Sequence, residues 1–237
     1  MTAVLRTDTG KVRKQNEDAA WLDESKAVFV VADGMGGHLA GEVASDLAVQ
    51  AVKQMAERHD GPSISVLRET VALANSLIAD HARKHPECAG MGTTLSVLWH
   101  YGGYAYIAHV GDSRIYRMRA GRLEQITQDH SLVEEMIRAR LITREQAKTH
   151  PRRNVITRAL GTQGDNTPDV LAADVLPGDL WLLCSDGLTG MVSDEEIAAA
   201  MRSCGSLDAM ADCLMSKALS AGGKDNITLV LWRSGEA

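Results

Sequence analysis

The sequence predicts an α+β protein in which two antiparallel β-sheets pack face to face and helices cover both outer faces. Four short apolar runs without polar alternation predict strands buried on both faces: 27–32, 104–108, 180–184 and 227–232. Such strands need a layer on each side, and helices can supply the outer layers. The elements follow as strands, two helices, a strand meander, an irregular insert, a strand, two helices and a strand. This order favours a four-layer α-β-β-α sandwich over an alternating parallel α/β fold.

The first helix is predicted over 40–58, because apolar residues there recur at i, i+3, i+4, i+7 and i+8 and form one stripe that can face the core. Further helices are predicted over about 63–84, 194–202 and 206–220, and two short ones within 131–150 around Leu141. These helices provide the outer layers of the predicted sandwich.

Between residues 93 and 126 the sequence predicts a meander of strands. Glycines at 102–103 supply one hairpin turn, the GDS string at 111–113 a second turn, and the Ala-Gly pair at 120–121 a third. Because the segments between these turns are short, we expect neighbouring strands to pair in antiparallel fashion. Prolines and a glycine in 151–168 predict an irregular stretch that is able to cap a site.

Length and composition limit the class of protein. Of the 237 residues, 45% are hydrophobic and 24% are charged, and the sequence shows no repeat, low-complexity tract or linker. These features predict one globular domain over 1–237. The net charge of −6 is poorly suited to binding a nucleic-acid backbone. The longest apolar run, 27–32, is too short to cross a membrane, and residues 1–15 carry no secretion signal. We therefore expect a cytoplasmic protein without nucleic-acid or membrane partners.

The four cysteines exclude several kinds of site. They are far apart and form no CxxC pair, so we predict neither a zinc knuckle nor a disulfide scaffold and interpret them as reduced, mostly structural residues. None has an arginine six positions later, which excludes a cysteine phosphatase. The chain has no GxxxxGK[ST] string typical of a P-loop, and GMGG at 34–37 lacks the spacing of a dinucleotide loop.

Three aspartates lie where buried apolar runs begin or end. Asp33 ends the run VFVVAD, Asp186 ends LWLLCSD, and Asp225 precedes ITLVLW, each with a glycine nearby that permits a tight turn or close approach of a ligand. A single Asp-Gly pair would be interpreted as a turn. Several carboxylates gathered at low dielectric repel one another, however, so three at strand ends indicate a site for a hard cation.

Six short strings resemble, in order and spacing, the motifs of the metal-dependent Ser/Thr protein phosphatase family of type 2C, in its bacterial single-domain form. They are RKQNED at 13–18, DGMGGH at 33–38, GTT at 92–94, HVGDSR at 109–114, CSDGL at 184–188 and GKDNIT at 223–228. The resemblance extends from about residue 6 to residue 232. It implies a β-sandwich flanked by helices with a two-metal site at one edge, in agreement with the layers predicted above.

The resemblance also implies a set of metal ligands. Asp33 would bridge two Mn²⁺ or Mg²⁺ ions, with the Gly34 carbonyl and, directly or through water, Glu17 on one ion, and Asp186 and Asp225 on the other. Oxygen ligands suit these ions, which can hold a hydroxide between them for in-line attack on phosphorus. The implied function is metal-dependent hydrolysis of phosphoserine and phosphothreonine in proteins.

Three further residues receive roles from the resemblance. Arg13 matches the family's phosphate-binding arginine, whose guanidinium fork suits a phosphoryl group, and Asp18 would orient a metal-bound water. Asp112 matches the residue that bacterial members use, together with the equivalent of Asp186, for a third and weaker metal ion. The alternative for Asp112 is a turn aspartate that caps a hairpin at Ser113.

The general acid departs from the pattern of animal members. In those proteins a histidine directly follows Asp-Gly and is thought to protonate the leaving alkoxide, whereas Met35 stands in that place here. His38, three residues later as in bacterial members, is the candidate general acid. The alternatives are that His38 structures its loop or contacts substrate, and that a metal-bound water protonates the leaving group.

The stretch from 131 to about 167 matches the mobile flap of bacterial members. Its Arg152, Arg153 and Arg158 either attract a phosphopeptide or form a merely solvated charged run. The resemblance further implies phosphorylated protein substrates, a cognate Ser/Thr kinase whose signalling is reversed, and a monomer. The alternative function is a pseudophosphatase that binds phosphoproteins as a scaffold. Such a protein would be expected to have lost at least one metal carboxylate, whereas the three rim aspartates and Arg13 are all present.

Overall fold

The computed structural model describes residues 2–36 and 40–235, and its two antiparallel sheets confirm the predicted α+β sandwich. The strands are β1 Thr2–Asp8, β2 Asp18–Asp23, β3 Val28–Met35, β4 Gly92–Thr93, β5 Leu95–Tyr101, β6 Tyr104–Val110, β7 Arg114–Arg119, β8 Arg122–Gln125, β9 Asp169–Asp174, β10 Leu180–Cys184 and β11 Ile227–Arg233. The helices are α1 Ala40–Arg58, α2 Ile64–Lys84, α3 Leu132–Arg138, α4 Arg144–Lys148, α5 Asp186–Thr189, α6 Asp194–Ser203 and α7 Leu207–Ser220.

The two sheets share one core. The first sheet has the strand order β1-β11-β10-β7-β8, and the second has the order β2-β3-β5-β6-β9, with β4 pairing with β3. Because side chains alternate along a strand, β3 directs Phe29 and Val31 toward the first sheet, where they meet Trp181 and Trp232. The rings of Phe29 and Trp232 stack with centroids 5.1 Å apart.

Helices cover the outer faces as predicted. On the outer face of the second sheet, α1 and α2 pack over Val28, Val30 and Ala32 of β3. Residues of α6 and α7 pack on the outer face of the first sheet against β10 and β11. The predicted range of α1 is confirmed at both ends, and α2 starts after an N-cap at Ser63, whose Oγ accepts a hydrogen bond from the Val66 N–H at 3.1 Å.

The predicted meander is wrong at one connection. The pairs β5–β6 and β7–β8 are antiparallel hairpins, but β6 and β7 lie in different sheets, so residues 111–113 carry the chain from one sheet to the other. Gly111 has φ +109°, and a Cβ there would lie 2.5 Å from Thr94 Cγ2. The interpretation of Asp112 as a hairpin residue is therefore wrong, because no hairpin joins these two strands.

The structure also contains elements that the sequence did not define, namely β1, β2, β9 and the short helix α5. The two short helices on either side of Leu141 are confirmed as α3 and α4, and the stretch between α4 and β9 is irregular as predicted. No helix within residues 2–36 and 40–235 has the length and apolar character needed to cross a bilayer.

Candidate metal centre

Four aspartates gather at one edge of the sandwich because of strand pairing. Asp18 at the start of β2 lies directly opposite Asp33 in β3, and Asp33 belongs to the face of β3 that points to the other sheet. Asp186 follows β10, and Asp225 precedes β11. Since β10 and β11 are antiparallel neighbours, the end of one and the start of the other meet at the same edge.

A cavity of about 210 Å³ opens at this edge. Seven of the residues singled out in the sequence line it: Arg13, Glu17, Asp33, Gly34, Asp112, Asp186 and Asp225. Met35 also lines it, and Asn154 and Ile156 contribute from the segment after α4. Asp18 is not among the lining residues, and the candidate general acid His38 lies outside the described residues.

Close backbone packing holds Glu17 against the end of β3. The Gly34 N–H donates to the Glu17 carbonyl at 3.1 Å, and the Ser45 hydroxyl donates to the same oxygen at 2.6 Å. A Cβ at position 34 would lie 2.2 Å from the Gly41 carbonyl oxygen and 2.4 Å from that of Glu17. Only glycine therefore fits between these two backbone segments.

Asn226 connects the loop after β1 to the start of β11. Its side-chain nitrogen donates to the Thr9 carbonyl at 3.0 Å and to the Gln15 carbonyl at 2.8 Å, while its Oδ1 accepts from the Glu17 N–H at 2.8 Å. Asn226 thus fixes the backbone that carries Glu17. Nothing in the sequence marks Asn226 as a site residue except its place directly after Asp225 in the GKDNIT string.

Thr94 fixes the backbone of Asp33. The Asp33 N–H donates to Thr94 Oγ1 at 2.9 Å, and the Thr94 N–H donates to the Asp33 carbonyl at the same distance. Thr94 Oγ1 also lies 2.8 Å from Ser113 Oγ, next to Asp112. The GTT and GDSR strings therefore meet beside the cavity, which explains why both occur among the motifs.

Burial shifts the acid–base properties of the aspartates. It raises the pKa of Asp18 to about 7, that of Asp112 to about 8 and that of Asp186 to about 6. It also raises the pKa of Asp33 well above its usual value, and the negative charge of the surrounding aspartates adds to the effect. These carboxyl groups destabilise one another when ionised unless positive charge is brought between them.

Arg13 and Ser185 offset part of this charge. Arg13 Nη2 donates to Asp225 Oδ2 at 2.8 Å, and half of the arginine side chain is exposed at the mouth of the cavity. The Ser185 hydroxyl donates to Asp18 Oδ2 at 2.8 Å. Ser185 was not singled out in the sequence as a site residue, because only folding places the end of β10 beside the start of β2.

The donor set fits a hard divalent cation. Carboxylate and carbonyl oxygens are the ligands that Mg²⁺ and Mn²⁺ prefer. Asp18 Oδ1 and Asp112 Oδ1 are buried without a hydrogen-bond partner among the described residues, although buried polar atoms are normally paired. Within 2–36 and 40–235, no three His, Cys, Asp or Glu side chains are arranged closely enough to hold an ion. The fit therefore rests on the oxygen donors that line the cavity and on the two unpaired carboxylate oxygens.

The three flap arginines differ from one another in their contacts. Arg158 forms ion pairs with Asp165 at 3.2 Å and with Asp169 at 3.0 Å, so its charge is used inside the protein. Arg158 is therefore not merely solvated, and its attraction of a phosphopeptide stays a prediction. Arg152 and Arg153 are exposed.

Comparison with known proteins agrees with the geometry. The sequence profile of the family described as protein phosphatase 2C matches residues 11–222. The serine/threonine phosphatase Stp of Listeria monocytogenes is 41% identical over 239 residues, which cover 98% of this chain and 95% of the relative.

Solved structures extend the similarity to the fold. The crystal structure of the Mycobacterium tuberculosis serine/threonine phosphatase PstP/Ppp superposes with a TM-score of 0.93 at 38% identity, covering 99% of each chain. The catalytic domain of the serine/threonine protein phosphatase PstP in complex with two manganese ions superposes with a TM-score of 0.88 at 38% identity, covering 97% of this chain and 96% of the other.

Proposed function

This chain belongs to the protein phosphatase 2C family and is a serine/threonine phosphatase, and we propose that it removes phosphate from phosphoserine and phosphothreonine with the help of two divalent cations. The observation that carries the proposal is the cavity lined by four carboxylates besides Glu17 and Arg13. The related catalytic domain with two manganese ions supports the number of ions.

We assign the cations to the oxygen atoms of the cavity wall. Asp33 would be shared by both ions. The Gly34 carbonyl and, directly or through water, Glu17 would hold one ion, and Asp186 and Asp225 would hold the other. Bound there, the two ions would supply a hydroxide for in-line attack on phosphorus and neutralise the phosphoryl oxygens. Asp112 is assigned, with Asp186, to a third and weaker ion. These roles are supported by the position of each residue on the wall.

Asp18 is proposed to orient the attacking water. The hydrogen bond from Ser185 holds its Oδ2, while its Oδ1 is buried without a partner among the described residues. The fixed carboxylate thus has one oxygen left to accept a hydrogen bond from a water in the site. Cations bound nearby would favour the ionised form of Asp18, which accepts hydrogen bonds and donates none.

Arg13 is proposed to bind the phosphoryl oxygens of the substrate. Its guanidinium lies half exposed at the mouth and donates to Asp225. A phosphoryl group offers oxygen acceptors that match the guanidinium fork, so the arginine can exchange Asp225 for substrate. That exchange would leave Asp225 with both oxygens available for a cation. His38 is retained as the candidate that protonates the leaving alkoxide.

We further propose that the enzyme is a cytoplasmic monomer that reverses the action of a cognate Ser/Thr kinase. The similarity to a bacterial serine/threonine phosphatase over 98% of the chain supports phosphoprotein substrates. Phosphoprotein substrates imply a kinase that makes them. Size-exclusion chromatography with light scattering measures the oligomeric state, and phosphoproteomic comparison of cells with and without the gene identifies the substrates.

Metal dependence tests the proposed mechanism. Hydrolysis of p-nitrophenyl phosphate is measured after EDTA treatment and again after Mn²⁺ or Mg²⁺ is restored, and we expect loss and recovery of activity. Calorimetric titration with Mn²⁺ should show two strong sites that are weakened in Asp33→Asn and retained in Asp60→Asn, a change at an exposed aspartate. A treated enzyme that kept its full rate would rule out the two-cation mechanism.

A further inference from the structure

The flap, residues 131–167, carries a charge opposite to that of the rest of the chain. It contains seven basic residues (Lys and Arg) and four acidic residues (Asp and Glu). The rest of the chain contains 18 basic and 27 acidic residues. In a protein of net charge −6, the flap therefore has a net charge of +3 and the rest of the chain one of −9. That segment also contributes Asn154 and Ile156 to the wall of the cavity.

Two exposed arginines of the flap lie next in the chain to a residue that lines the cavity. Arg152 and Arg153 precede Asn154, and both are exposed. Among the described residues, neither guanidinium donates a hydrogen bond or forms an ion pair, in contrast to Arg158 with its two aspartates. Their charge is thus available to a molecule that approaches the cavity.

The turn that carries these arginines has defined backbone contacts. The Arg153 N–H donates to the His150 carbonyl at 3.1 Å, the Arg152 N–H donates to His150 Nδ1 at 3.2 Å, and the Val155 N–H donates to the Arg152 carbonyl at 3.2 Å. Ile156 pairs with Ser131 at the other end of the flap. The backbone that carries the two arginines is therefore held in a defined turn next to the cavity wall.

An extended peptide substrate keeps its flanking side chains close to the phosphorylated residue. Each residue advances the chain by about 3.3–3.6 Å, so side chains one to three positions from the phosphorylated residue lie within about 11 Å of it. Charges interact over a Debye length of about 8 Å at physiological ionic strength. When the phosphate is in the cavity, flanking side chains are within reach of charges on the neighbouring turn.

We propose that Arg152 and Arg153 form an anion-binding subsite that makes the enzyme prefer phosphorylated residues flanked by anionic groups, either carboxylates or a second phosphoryl group. The proposal rests on the proposed function of the cavity. The remainder of the chain is net negative and repels an acidic segment, so attraction at the flap also fixes the direction from which the substrate approaches.

The first test uses the unchanged protein loaded with Mn²⁺. The substrates are four phosphothreonine peptides that differ only at two flanking positions. Both positions are Glu in the first peptide, phosphoserine in the second, Gln in the third and Lys in the fourth, and kcat/KM is measured for each. We expect the Glu peptide to exceed the Gln peptide roughly threefold to tenfold, as two exposed ion pairs allow, and the Lys peptide to fall below it. Added salt should bring the ratios toward one.

The phosphoserine peptide separates the two sources of negative charge. A gain for phosphoserine well above that for Glu assigns the subsite to a second phosphoryl group, and equal gains assign it to anions in general. If the Glu, phosphoserine, Gln and Lys peptides are all hydrolysed equally while Mn²⁺-dependent hydrolysis of p-nitrophenyl phosphate persists, the subsite is refuted and the phosphatase function stands. No hydrolysis of any substrate would instead contradict the function itself.

The second test changes the charge of the turn. Arg152→Glu/Arg153→Glu should reverse the ratio of kcat/KM between Glu and Lys peptides. Arg68→Glu/Arg122→Glu makes the same change in net charge at exposed positions of α2 and of the β7–β8 hairpin, and it should keep the original ratio. Equal effects in both variants would show that overall charge, and not the turn, sets the preference. If the first variant does not fold, Arg152→Gln/Arg153→Gln is measured with the same peptides, and its ratio of kcat/KM between Glu and Lys peptides should fall toward one.

Discussion

Asp186 shows at the scale of one residue how folding prepares a carboxylate for a cation. It is the first residue of α5, separated from the end of β10 by one residue, and lies on the wall of the cavity. Burial and then the charge of Asp225 raise its pKa to about 6. A carboxylate in that setting is costly when alone and is stabilised by a positive charge. Its energetic cost in folding and its proposed role in binding therefore have the same physical origin.

We expect Asp186→Asn to abolish turnover while the fold is retained, because the amide has nearly the same shape but removes the negative charge. The loss of activity should be larger than the roughly 10–100-fold usually seen when a residue that hydrogen-bonds to a metal ligand is changed. Phosphate release and thermal unfolding are measured in parallel, with Asp60→Asn as the matched control. Near-normal turnover would show that the assignment of Asp186 is wrong.

Gly34 is constrained by space rather than by an unusual φ. A Cβ there would overlap the carbonyl oxygens of Gly41 and Glu17, at 2.2 and 2.4 Å. We expect Gly34→Ala to lower the free energy of unfolding by about 1–3 kcal/mol, the usual cost of overpacking, and to displace Glu17. Gly205→Ala is the control, since no atom lies within 4 Å of its Cβ position. Urea unfolding of both variants measures the difference, and equal stabilities would contradict the close packing described.

The aspartates at strand ends could be predicted from the local sequence pattern. The residues that form hydrogen bonds with the site could not be predicted in this way. Asp33, Asp186 and Asp225 stand next to long buried runs, which the sequence displays directly. Ser185 and Asn226 matter through contacts with residues 167 and 209 positions away, which only the fold creates. Before such contacts are known, a serine or asparagine in a loop has no distinguishing feature.

At the scale of elements, burial on both faces decided which strands were predictable. β10 and β11 are central in their sheet and are apolar throughout, so their pattern stands out. β2 and β9 lie at sheet edges, and every residue of β2 is only half buried. The connection from β6 to β7 resembled a hairpin because turn residues do not encode whether the next strand stays in the same sheet.

His130 joins the flap to the loop that carries Asp112. The backbone N–H of His130 donates to the Gly111 carbonyl at 2.7 Å, and its backbone carbonyl accepts from the Thr157 N–H at 2.8 Å. The ring Nδ1 accepts from the Gly111 N–H at 3.1 Å. Nε2 lies 3.2 Å from Asp169 Oδ2 at the start of β9. Because Nδ1 accepts, the ring proton is on Nε2, and burial lowers the pKa of His130, which favours this neutral form.

We expect His130→Ala to loosen the flap. The change removes the side-chain partners of Gly111 and Asp169, at a cost of about 1–3 kcal/mol in the free energy of unfolding. Hydrogen exchange should become faster in residues 131–167, whereas His59→Ala at the end of α1 should leave that segment unchanged. His130→Asn, which keeps an acceptor for the Gly111 N–H, should recover part of the protection. Unaltered exchange in the alanine variant would show that other contacts hold the flap.

At the scale of the whole molecule, the proposed cations change the charge balance where the substrate must bind. Two divalent ions would take the formal charge from −6 to −2, and most of that change falls at the cavity. The acidic character of the chain is thus compatible with an anionic substrate, because bound cations would bring positive charge to the cavity and the flap itself has a net charge of +3.

The same aspartates make the stability of the metal-free protein depend on pH. A carboxyl group with a raised pKa holds its proton more tightly in the folded than in the unfolded chain. Its contribution to stability is complete below the unfolded pKa of about 4 and is lost as pH rises through the folded pKa. The folded pKa is about 7 for Asp18 and about 8 for Asp112, so the loss continues above neutral pH.

We therefore expect Tm in EDTA to fall between about pH 7 and 8.5, a window above the usual histidine pKa of about 6.5. Each excess proton held by the folded state is worth about 1.4 kcal/mol per pH unit, or roughly 3–5 °C for a chain of this length. Because cations bind the deprotonated carboxylates, the increase in Tm caused by Mn²⁺ should widen as pH rises. Differential scanning calorimetry with EDTA or Mn²⁺ measures both trends. A Tm in EDTA that rose across this window would contradict the burial of these carboxyl groups.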